Sequence, residues 1–418
     1  MKPIKSLLAK FSRKPAAAVD IGDFDPFDPD FIADPFPMLA ALRQTAPVHR
    51  LANGSWVLSR YRDIAQALTD PRLVNSPSRF AVVNPRNAQR YTCANVAQNI
   101  LPFQDAPEHT EPRQALARHF YEAFRKEQNN AQKITSKLWR NLSGEVDLLS
   151  DFATPLCSGM MGRLLGLRDI WHDPKAVAQL KRWAEWFFYL FSILPDEQTR
   201  AQLDCELDAA REFLTEFVQP GKSHLVDCLM SETKGLAPLS ADALRDNALL
   251  LLADGVNADH GIANALLMLM QHPEALQDLR SNPERIPQAS EELLRLSTPS
   301  LFIARRASED LEINGQAIRK DSGVLLMLAS ANRDEAVFEN GDMLNINRPR
   351  RQQLTFGRGE HACLGRHLVN EMMHQALGAL VSSVRPAQLT KQPPQWSLRA
   401  GHRWLASLPV TLGPVLTN

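Results

Sequence analysis

The stretch from residue 240 to residue 271 limits the fold more than any other part of the chain. Ser240 is a suitable N-cap, and Pro273 directly after His272 cannot continue a helix, so the pattern predicts one helix between them. With a rise of about 1.5 Å per residue, this helix is roughly 45 Å long. Its two halves contain the runs ALLLLA and ALLMLM, which are apolar nearly all round. The pattern therefore predicts a helix that crosses the core.

The rest of the chain predicts a mainly α fold with small β-sheets. Residues 203–219 have a helical pattern. Short β-prone runs at 310–315 and 323–328 are separated by turn residues, which is typical of small sheets. No repeat or low-complexity linker interrupts the chain, so residues 19–418 are expected to form a single domain after a flexible, basic tail at residues 1–18.

The segment FGRGEHACLG at residues 356–365 carries the strongest chemical signal, and a helical pattern follows it directly. Gly357 and Gly359 permit a tight backbone turn, whose freed N–H groups can point at a sulfur atom. Cys363 then lies where the helix begins, and a helix N-terminus favours thiolate over thiol. The spacing therefore favours a thiolate at Cys363.

This segment resembles the heme-binding signature of the cytochrome P450 family. The resemblance extends over almost the whole chain, from FDPFDPDFIADPFPMLAALRQTAPV near the start to the helix after Cys363. It implies the cytochrome P450 fold, in which the long core-crossing helix lies over heme b beside small β-sheets. It also implies that Cys363 is the metal ligand and that Phe356, Gly357 and Gly365 belong to the cofactor-binding segment.

A glutamate and an arginine match a second landmark of the family. Glu292 and Arg295 lie one helical turn apart and match its ExxR pair. Arg348, in the run NINRPR, fits the arginine that usually completes this pair. The resemblance gives these three residues a structural role behind the cysteine.

Four side chains occur where the family binds the two heme propionates, namely His109, Arg113, Arg305 and His361. His109 and Arg113 are four residues apart, so on a helix they point the same way, towards a shared anion. Carboxylates buried beside iron need such partners. Arg306 directly follows Arg305, and a shift by one residue is the alternative.

The middle of the long helix departs from the family pattern of a small residue, glycine, any residue, an acid and threonine. Here residues 253–258 read ADGVNA. When the pattern is aligned on Gly255, Asn257 occupies the position of the acid and Ala258 the position of the threonine. Asp254 then replaces the small residue that faces the porphyrin in the family. These three residues are expected to shape the oxygen side of the site, and the usual proton relay is missing.

Three explanations for the missing relay are open. The substrate can supply the hydroxyl that the helix lacks. Asp254 or Asp259 can be the acid. Peroxide can replace oxygen as the oxidant, since it arrives with its protons. A water molecule held by Asn257 is a partial substitute in any of these cases.

The resemblance implies a monooxygenase of the bacterial class I type, which inserts one oxygen atom of O2 into an apolar or aromatic small molecule. Secondary metabolism is the expected setting. The sequence has no fingerprint of the form GxGxxG, so electrons are expected to come from a ferredoxin and its reductase. Arg118, Arg358 and Arg366 are candidates for the surface that docks the ferredoxin.

Other functions share part of this pattern. A heme-thiolate peroxygenase, or an oxidative coupling or rearrangement enzyme, has the same heme residues and needs no standard proton relay. A non-catalytic P450-like partner protein typically loses the cysteine, whereas Cys363 and the ExxR pair are present here. A heme sensor gains nothing from an electron-rich thiolate beside a large apolar pocket.

The composition argues against several partner classes. Lys plus Arg equals Asp plus Glu at 47 each, so no overall charge attracts nucleic acid or an anionic membrane. No apolar run reaches the roughly 18 to 20 residues of a membrane span. The five cysteines are scattered without zinc-like spacing, which favours a reducing, cytoplasmic location.

One aromatic stretch resembles the region that roofs the substrate pocket in the family. Its members are Trp183, Trp186, Phe187, Phe188, Tyr189 and Phe191. They favour an apolar or aromatic substrate, and packing in the core is an equal alternative. Leu301, Phe302 and Ile303 are further candidates for the pocket wall.

Overall fold

The computed structural model describes residues 20–22, 24–168, 170–192, 196–231, 239–349, 352–383 and 386–413. The expected flexible tail at residues 1–18 lies outside these ranges. Within them the fold is mainly α with small sheets, as the sequence predicts. A helix with the length and hydropathy of a membrane span is not found in the described ranges.

The helices and strands of the described residues are named in chain order. The helices are α1 Pro29–Ala33, α2 Phe36–Thr45, α3 Tyr61–Ala67, α4 Thr92–Asn99, α5 Thr110–Glu127, α6 Asn129–Asn141, α7 Thr154–Leu165, α8 Pro174–Phe187, α9 Glu197–Thr215, α10 His224–Met230, α11 Ala241–Met270, α12 Pro273–Ser281, α13 Ile286–Leu296, α14 Leu328–Ala331 and α15 Arg366–Ser382. The strands are β1 Val48–Arg50, β2 Trp56–Leu58, β3 Leu73–Val74, β4 Gly144–Asp147, β5 Ile303–Ala307, β6 Leu311–Ile313, β7 Gln316–Ile318, β8 Gly323–Leu326, β9 Ala387–Leu389, β10 Gln395–Trp396, β11 Leu405–Ser407 and β12 Pro409–Leu412.

Helix α11 is the predicted core-crossing helix. The hydroxyl of Ser240 accepts a hydrogen bond from the backbone N–H of Ala243 at 3.2 Å and caps the first turn. The helix packs against α7, α8, α9 and α15. A Cβ atom at Gly255 would lie 2.2 Å from the sulfur of Met161 in α7, so glycine lets these two helices approach closely. The middle of α11 is thereby fixed in the core.

The second predicted helix begins earlier than its apolar pattern indicates. Helix α9 starts at Glu197, where the carboxylate of Asp196 accepts a hydrogen bond from the backbone N–H of Thr199 at 2.6 Å. It ends at Thr215 rather than at residue 219. Its first turns are mostly polar, so the capping aspartate sets the start of the helix and the apolar periodicity does not.

The largest sheet has the strand order β1-β2-β8-β5-β3. Strands β2 and β8 are parallel, and the other neighbours are antiparallel. Residues such as Leu39, Val57, Ile64 and Val324 form a hydrophobic core beside this sheet, apart from the larger core around α11. The remaining sheets are β4-β12-β9, β6-β7 and β10-β11. Strand β5 carries two adjacent arginines, whose side chains must point to opposite faces.

Candidate active site

The loop before α15 presents Cys363. The backbone N–H of Cys363 donates to the carbonyl oxygen of Phe356 at 2.8 Å and closes the loop. Gly357 and Gly359 have φ values of +64° and +78°, in the left-handed region that side chains rarely adopt. A Cβ atom at Gly359 would also lie 3.0 Å from the carbonyl oxygen of Leu68. These glycines let the loop bend tightly and bring Cys363 close to the start of α15.

Cys363 has uncovered surface although protein surrounds its side chain, which indicates an internal cavity beside it. Burial is the main cause that raises the pKa of the Cys363 thiol to about 11, and the charge of Asp254 adds to the rise. The backbone N–H of Gly365 and the guanidinium of Arg113 oppose it. A metal ion stabilises the thiolate and displaces the proton. The sulfur is therefore placed to bind a metal ion in the cavity.

Helix α11 has two residues with uncovered surface in its middle, Asp254 and Ala258. Asp254 has uncovered side-chain surface, whereas Ala253 and Gly255 on either side are buried. Ala258 lies one turn further along and is half-buried. Burial raises the pKa of Asp254 to about 7. Because its charge also raises the pKa of the Cys363 thiol, Asp254 lies near Cys363, and we infer that the two residues border the same cavity.

The side chain of Asn257, which the sequence analysis groups with Asp254 and Ala258, is hydrogen-bonded to another helix. The amide nitrogen of Asn257 donates to the carbonyl oxygen of Ala184 at 2.9 Å, and its amide oxygen accepts from Nζ of Lys181 at 3.0 Å. Both partners belong to α8, so the amide is turned towards that helix. Its hydrogen bonds hold α8 against α11.

The carboxylate of Asp259 is also committed to a buried contact. The side chain is 0% exposed, and its oxygens accept from Nζ of Lys181 at 2.8 Å and from the hydroxyl of Thr154 at 2.6 Å. Lys181 lies 2.8 Å from Nε2 of His260, whose pKa burial lowers well below its usual value. Lys181 was not identified from the sequence, since nothing in its local pattern indicates these contacts. Asp259 therefore stabilises the junction of three helices.

Replacing Lys181 by methionine is expected to destabilise the protein by about 3 kcal/mol, because Asp259 then stays buried without a cation. Adding Asp259→Asn is expected to recover most of this loss, since an amide keeps the contact with Thr154 and carries no charge. Urea unfolding of the two single variants and the double variant measures the coupling. The exposed Lys175→Met on α8 is the control. A double variant less stable than both single variants would contradict the assignment.

Cationic and imidazole side chains converge at the rim of the cavity. The guanidinium of Arg113 donates to the carbonyl oxygen of Ala362 at 2.7 Å. The rings of His109 and His361 stack at 4.1 Å. Burial is the main cause that lowers the pKa of His361 to about 4, and the charges of His109, Arg305 and Arg113 add to this effect. The structure thus brings together the four side chains that the sequence analysis assigns to propionates.

The two adjacent arginines of β5 have different surroundings. Arg306 forms an ion pair with Asp321 at 3.0 Å and donates to the hydroxyl of Ser76 at 2.9 Å. Arg305 donates to the carbonyl oxygen of Ala304 at 2.9 Å, and burial lowers the pKa of Arg305 to about 10. Since Arg305 is the one that acts on the rim histidine, the geometry favours it over Arg306 as a residue of the cavity.

Glu292, Arg295 and Arg348 form a buried ionic cluster. The carboxylate of Glu292 accepts from Nε and Nη2 of Arg295 at 2.7 and 2.8 Å and from Nε of Arg348 at 3.1 Å. Glu292 and Arg295 are 4% and 2% exposed. Nη1 of Arg295 donates to the carbonyl oxygens of Asn332 and Gly341 at 2.5 and 2.6 Å. The cluster therefore fixes the chain that follows α14 against α13.

Asn332 links this ionic cluster to the cysteine loop. Its side-chain oxygen accepts from the backbone N–H of Leu354 at 2.7 Å, and its amide nitrogen donates to the hydroxyls of Thr355 and Thr298 at 2.8 Å. Leu354 and Thr355 directly precede Phe356, where the loop begins. Asn332 was not identified from the sequence, because a single asparagine in the run ASANRDE gives no signal of these distant partners.

The predicted aromatic roof divides into core residues and residues at a junction. Phe187 is fully buried in the core around α11. Phe191 stacks on Phe103, which precedes α5, at 4.9 Å between ring centroids. Phe188 contacts the ring of His402, which precedes β11, at 5.6 Å. Phe188 and Phe191 therefore lie where three distant segments of the chain meet.

Comparison with known sequences identifies the family. The family model described as Cytochrome P450 matches residues 186–399. A biotin biosynthesis cytochrome P450 of Bacillus subtilis (strain 168) is 29% identical and covers 91% of this chain and 97% of its own. The 20-oxo-5-O-mycaminosyltylactone 23-monooxygenase of Streptomyces fradiae is 31% identical and covers 82% of this chain and 80% of its own. The similarity to each relative therefore extends over most of this chain and most of the relative.

A solved structure gives the same result. The crystal structure of P450BioI in complex with hexadec-9Z-enoic acid ligated acyl carrier protein superposes with a TM-score of 0.82 at 26% identity. The superposition covers 92% of this chain and 99% of that chain. With this fold, these relatives and a cysteine loop facing an internal cavity, the chain belongs to the cytochrome P450 family of monooxygenases.

Proposed function

We propose that the protein is a heme-thiolate monooxygenase in which Cys363 is the axial ligand of heme b. The observation that carries this proposal is the internal cavity between the sulfur of Cys363 and the wall of α11 at Asp254 and Ala258. A cavity with a sulfur ligand on one side and an open helix face on the other suits a flat iron cofactor. Phe356, Gly357 and Gly365 would then lie around its ligand.

The rim of the cavity fits the two propionates of heme b. Nδ1 of His109 is buried and has no hydrogen-bond partner among the described residues. Arg305 uses one N–H group on the carbonyl oxygen of Ala304, and a guanidinium has five. Arg113 and His361 lie in the same cluster. Two carboxylates would supply the acceptors that these donors need.

Bound heme would supply the activation of O2, and the residues of the cavity would deliver protons and admit the substrate. Asn257 and Asp259 are held by Lys181, and Ala258 has no hydroxyl. Among the acids of α11, Asp254 is the one that borders the cavity. Its pKa of about 7 leaves a large fraction of its carboxyl groups protonated at neutral pH. The protons therefore come from Asp254 or from a protic group of the substrate beside Ala258.

The substrate is proposed to be an apolar or aromatic small molecule of secondary metabolism. The rings of Phe188 and Phe191 offer apolar surface at the junction described above. Relatives support this class by their names. The 6-deoxyerythronolide B hydroxylase of Saccharopolyspora erythraea is 31% identical over 84% of this chain, and the Streptomyces fradiae relative is named a monooxygenase of a mycaminosyltylactone.

A ferredoxin and its reductase in the cytoplasm are proposed as electron donors. Arg118, Arg358 and Arg366 are all exposed. The charge of Arg366 lowers the pKa of the Cys363 thiol, so Arg366 lies near the cysteine. Exposed arginines there would attract an acidic ferredoxin and speed its association. All five cysteines are free thiols, in keeping with a reducing compartment.

Optical spectroscopy of the purified, heme-loaded protein tests this proposal. The ferrous carbonyl complex is expected to show the Soret band of thiolate ligation. Titration of the ferric protein with terpenoids, fatty acids, polyketides and aromatic compounds is expected to give a shift from low to high spin for one class. Compounds that shift the spin state are then incubated with a ferredoxin, its reductase and NADPH. A heme-loaded protein without the thiolate band would refute the function.

A heme-thiolate peroxygenase is the second candidate, and the methyl group of Ala258 at the position of an alcohol favours it. Peroxide brings its own protons, so this reaction needs no relay on α11. The same compounds are therefore also incubated with hydrogen peroxide in the absence of reductase. A higher rate with peroxide than with the ferredoxin system identifies the peroxygenase, and the reverse identifies the monooxygenase.

A further inference from the structure

Asp254 is the unusual acid of helix α11. Asp246 on the same helix is 0% exposed and is bound by Arg211 at 2.8 and 2.5 Å. Asp259 is bound by Lys181 at 2.8 Å. No hydrogen bond or ion pair reaches Asp254 from any residue in the part of the chain that the structure describes. The buried acids of α11 before and after it therefore have cations, and Asp254 does not.

A charged carboxylate that is enclosed by protein costs free energy when no cation lies beside it. The two neighbours Ala253 and Gly255 are buried, and Ala258 one turn away adds a methyl group. Burial is the cause that raises the pKa of Asp254. A ligand that brings a positive charge into the internal cavity would stabilise the carboxylate form of Asp254.

We propose that Asp254 binds a positively charged nitrogen of the substrate, so that the substrates of this enzyme are apolar amines that are protonated at neutral pH. This inference rests on the proposed function, because it assigns the ligand of the same cavity. The ammonium group would bind the carboxylate, and the apolar remainder would occupy the cavity beside Ala258. An ammonium N–H beside Ala258 would also bring the protic group that α11 lacks.

Matched cationic and neutral ligands test the inference by binding alone. Phenylalkyl trimethylammonium ions with one, three and six methylene groups are compared with isosteres in which carbon replaces nitrogen. A quaternary nitrogen has no lone pair, so it cannot ligate iron. Dissociation constants are measured on the ferric, heme-loaded protein by the change in spin state and independently by calorimetry. The cation of at least one pair is expected to bind at least about tenfold more tightly.

Two variants assign this preference to Asp254. In Asp254→Asn the shape is kept and the charge is lost, so the preference for the cation is expected to disappear. This variant removes an unpaired buried charge and is expected to fold. Asp242→Asn is the matched control, since Asp242 lies in the first turn of the same helix, is 68% exposed and pairs with Arg245. The control is expected to keep the full preference.

Several results would overturn the inference. These are equal binding of both series, tighter binding of the neutral isosteres, binding of neither series, and a preference that survives in Asp254→Asn. Each is judged on protein whose ferrous carbonyl spectrum shows thiolate ligation. Such protein without a preference for cations refutes the role of Asp254 and leaves the proposed monooxygenase standing. Protein without thiolate ligation refutes the proposed function itself.

Discussion

Replacing Cys363 by serine is expected to abolish thiolate ligation and reduce substrate oxidation to background. Serine keeps the size of the side chain, and the loop closed by the bond from Cys363 to Phe356 uses only backbone atoms, so the fold is expected to survive. The serine hydroxyl has a far higher pKa than a thiol and is not ionised by the same surroundings. The electron donation that promotes O–O cleavage is therefore lost.

Spectroscopy and turnover measure this effect together. The ferrous carbonyl complex of Cys363→Ser is expected to lose the Soret band of thiolate ligation, and heme content per chain is expected to fall. Cys205→Ser is the matched control, since Cys205 is a free, exposed cysteine on α9. It is expected to keep the wild-type spectrum and activity. A Cys363→Ser protein with the wild-type carbonyl spectrum would show that another residue is the iron ligand.

Local sequence signals were sufficient for the elements that position this cysteine. Helix α11 runs from Ala241 to Met270, close to the limits that its N-cap and following proline predict. The prediction depends on residues adjacent in the chain, which is why it holds. The apolar periodicity predicts a start of α9 at residue 203, whereas the helix begins at Glu197, because a capping aspartate acts where that periodicity is weak.

The orientation of side chains on α11 could not be predicted in the same way. A helix that is apolar nearly all round gives no preferred face, so the pattern cannot show which polar residue faces the cavity. Asn257 is turned by Lys181 and Ala184, which lie more than 70 residues away in the chain. Asp254 has no such partner among the described residues and remains at the cavity. The contacts of α8 therefore decide the chemistry of this wall.

Replacing Glu292 by glutamine is expected to lower the free energy of unfolding by about 3–5 kcal/mol. One carboxylate oxygen accepts from Nη2 of Arg295 at 2.8 Å and from the backbone N–H of Asn345 at 3.0 Å. The other accepts from Nε of Arg295 at 2.7 Å, and both accept from Arg348 at 3.1 Å. Whichever oxygen becomes an NH2 group then faces N–H donors.

The variant also leaves the guanidinium of Arg295, 2% exposed, without its counter-ion. Arg295 still donates to the carbonyl oxygens of Asn332 and Gly341, but these carry no net charge. Because Asn332 holds the two residues before the cysteine loop, strain at Arg295 is expected to reach that loop. Heme content per chain should therefore fall together with the stability of Glu292→Gln.

Urea unfolding of the heme-loaded protein, with heme content measured on the same samples, checks this prediction. Glu284→Gln is the control, because Glu284 is exposed and lies just before α13, and its effect is expected to stay within about 0.5 kcal/mol. Arg295→Lys keeps the charge and loses the two parallel hydrogen bonds to Glu292. Its free energy of unfolding is therefore expected to lie between those of Glu284→Gln and Glu292→Gln. A Glu292→Gln protein as stable as the control would mean that the chain after α14 is held by packing and not by this ionic cluster.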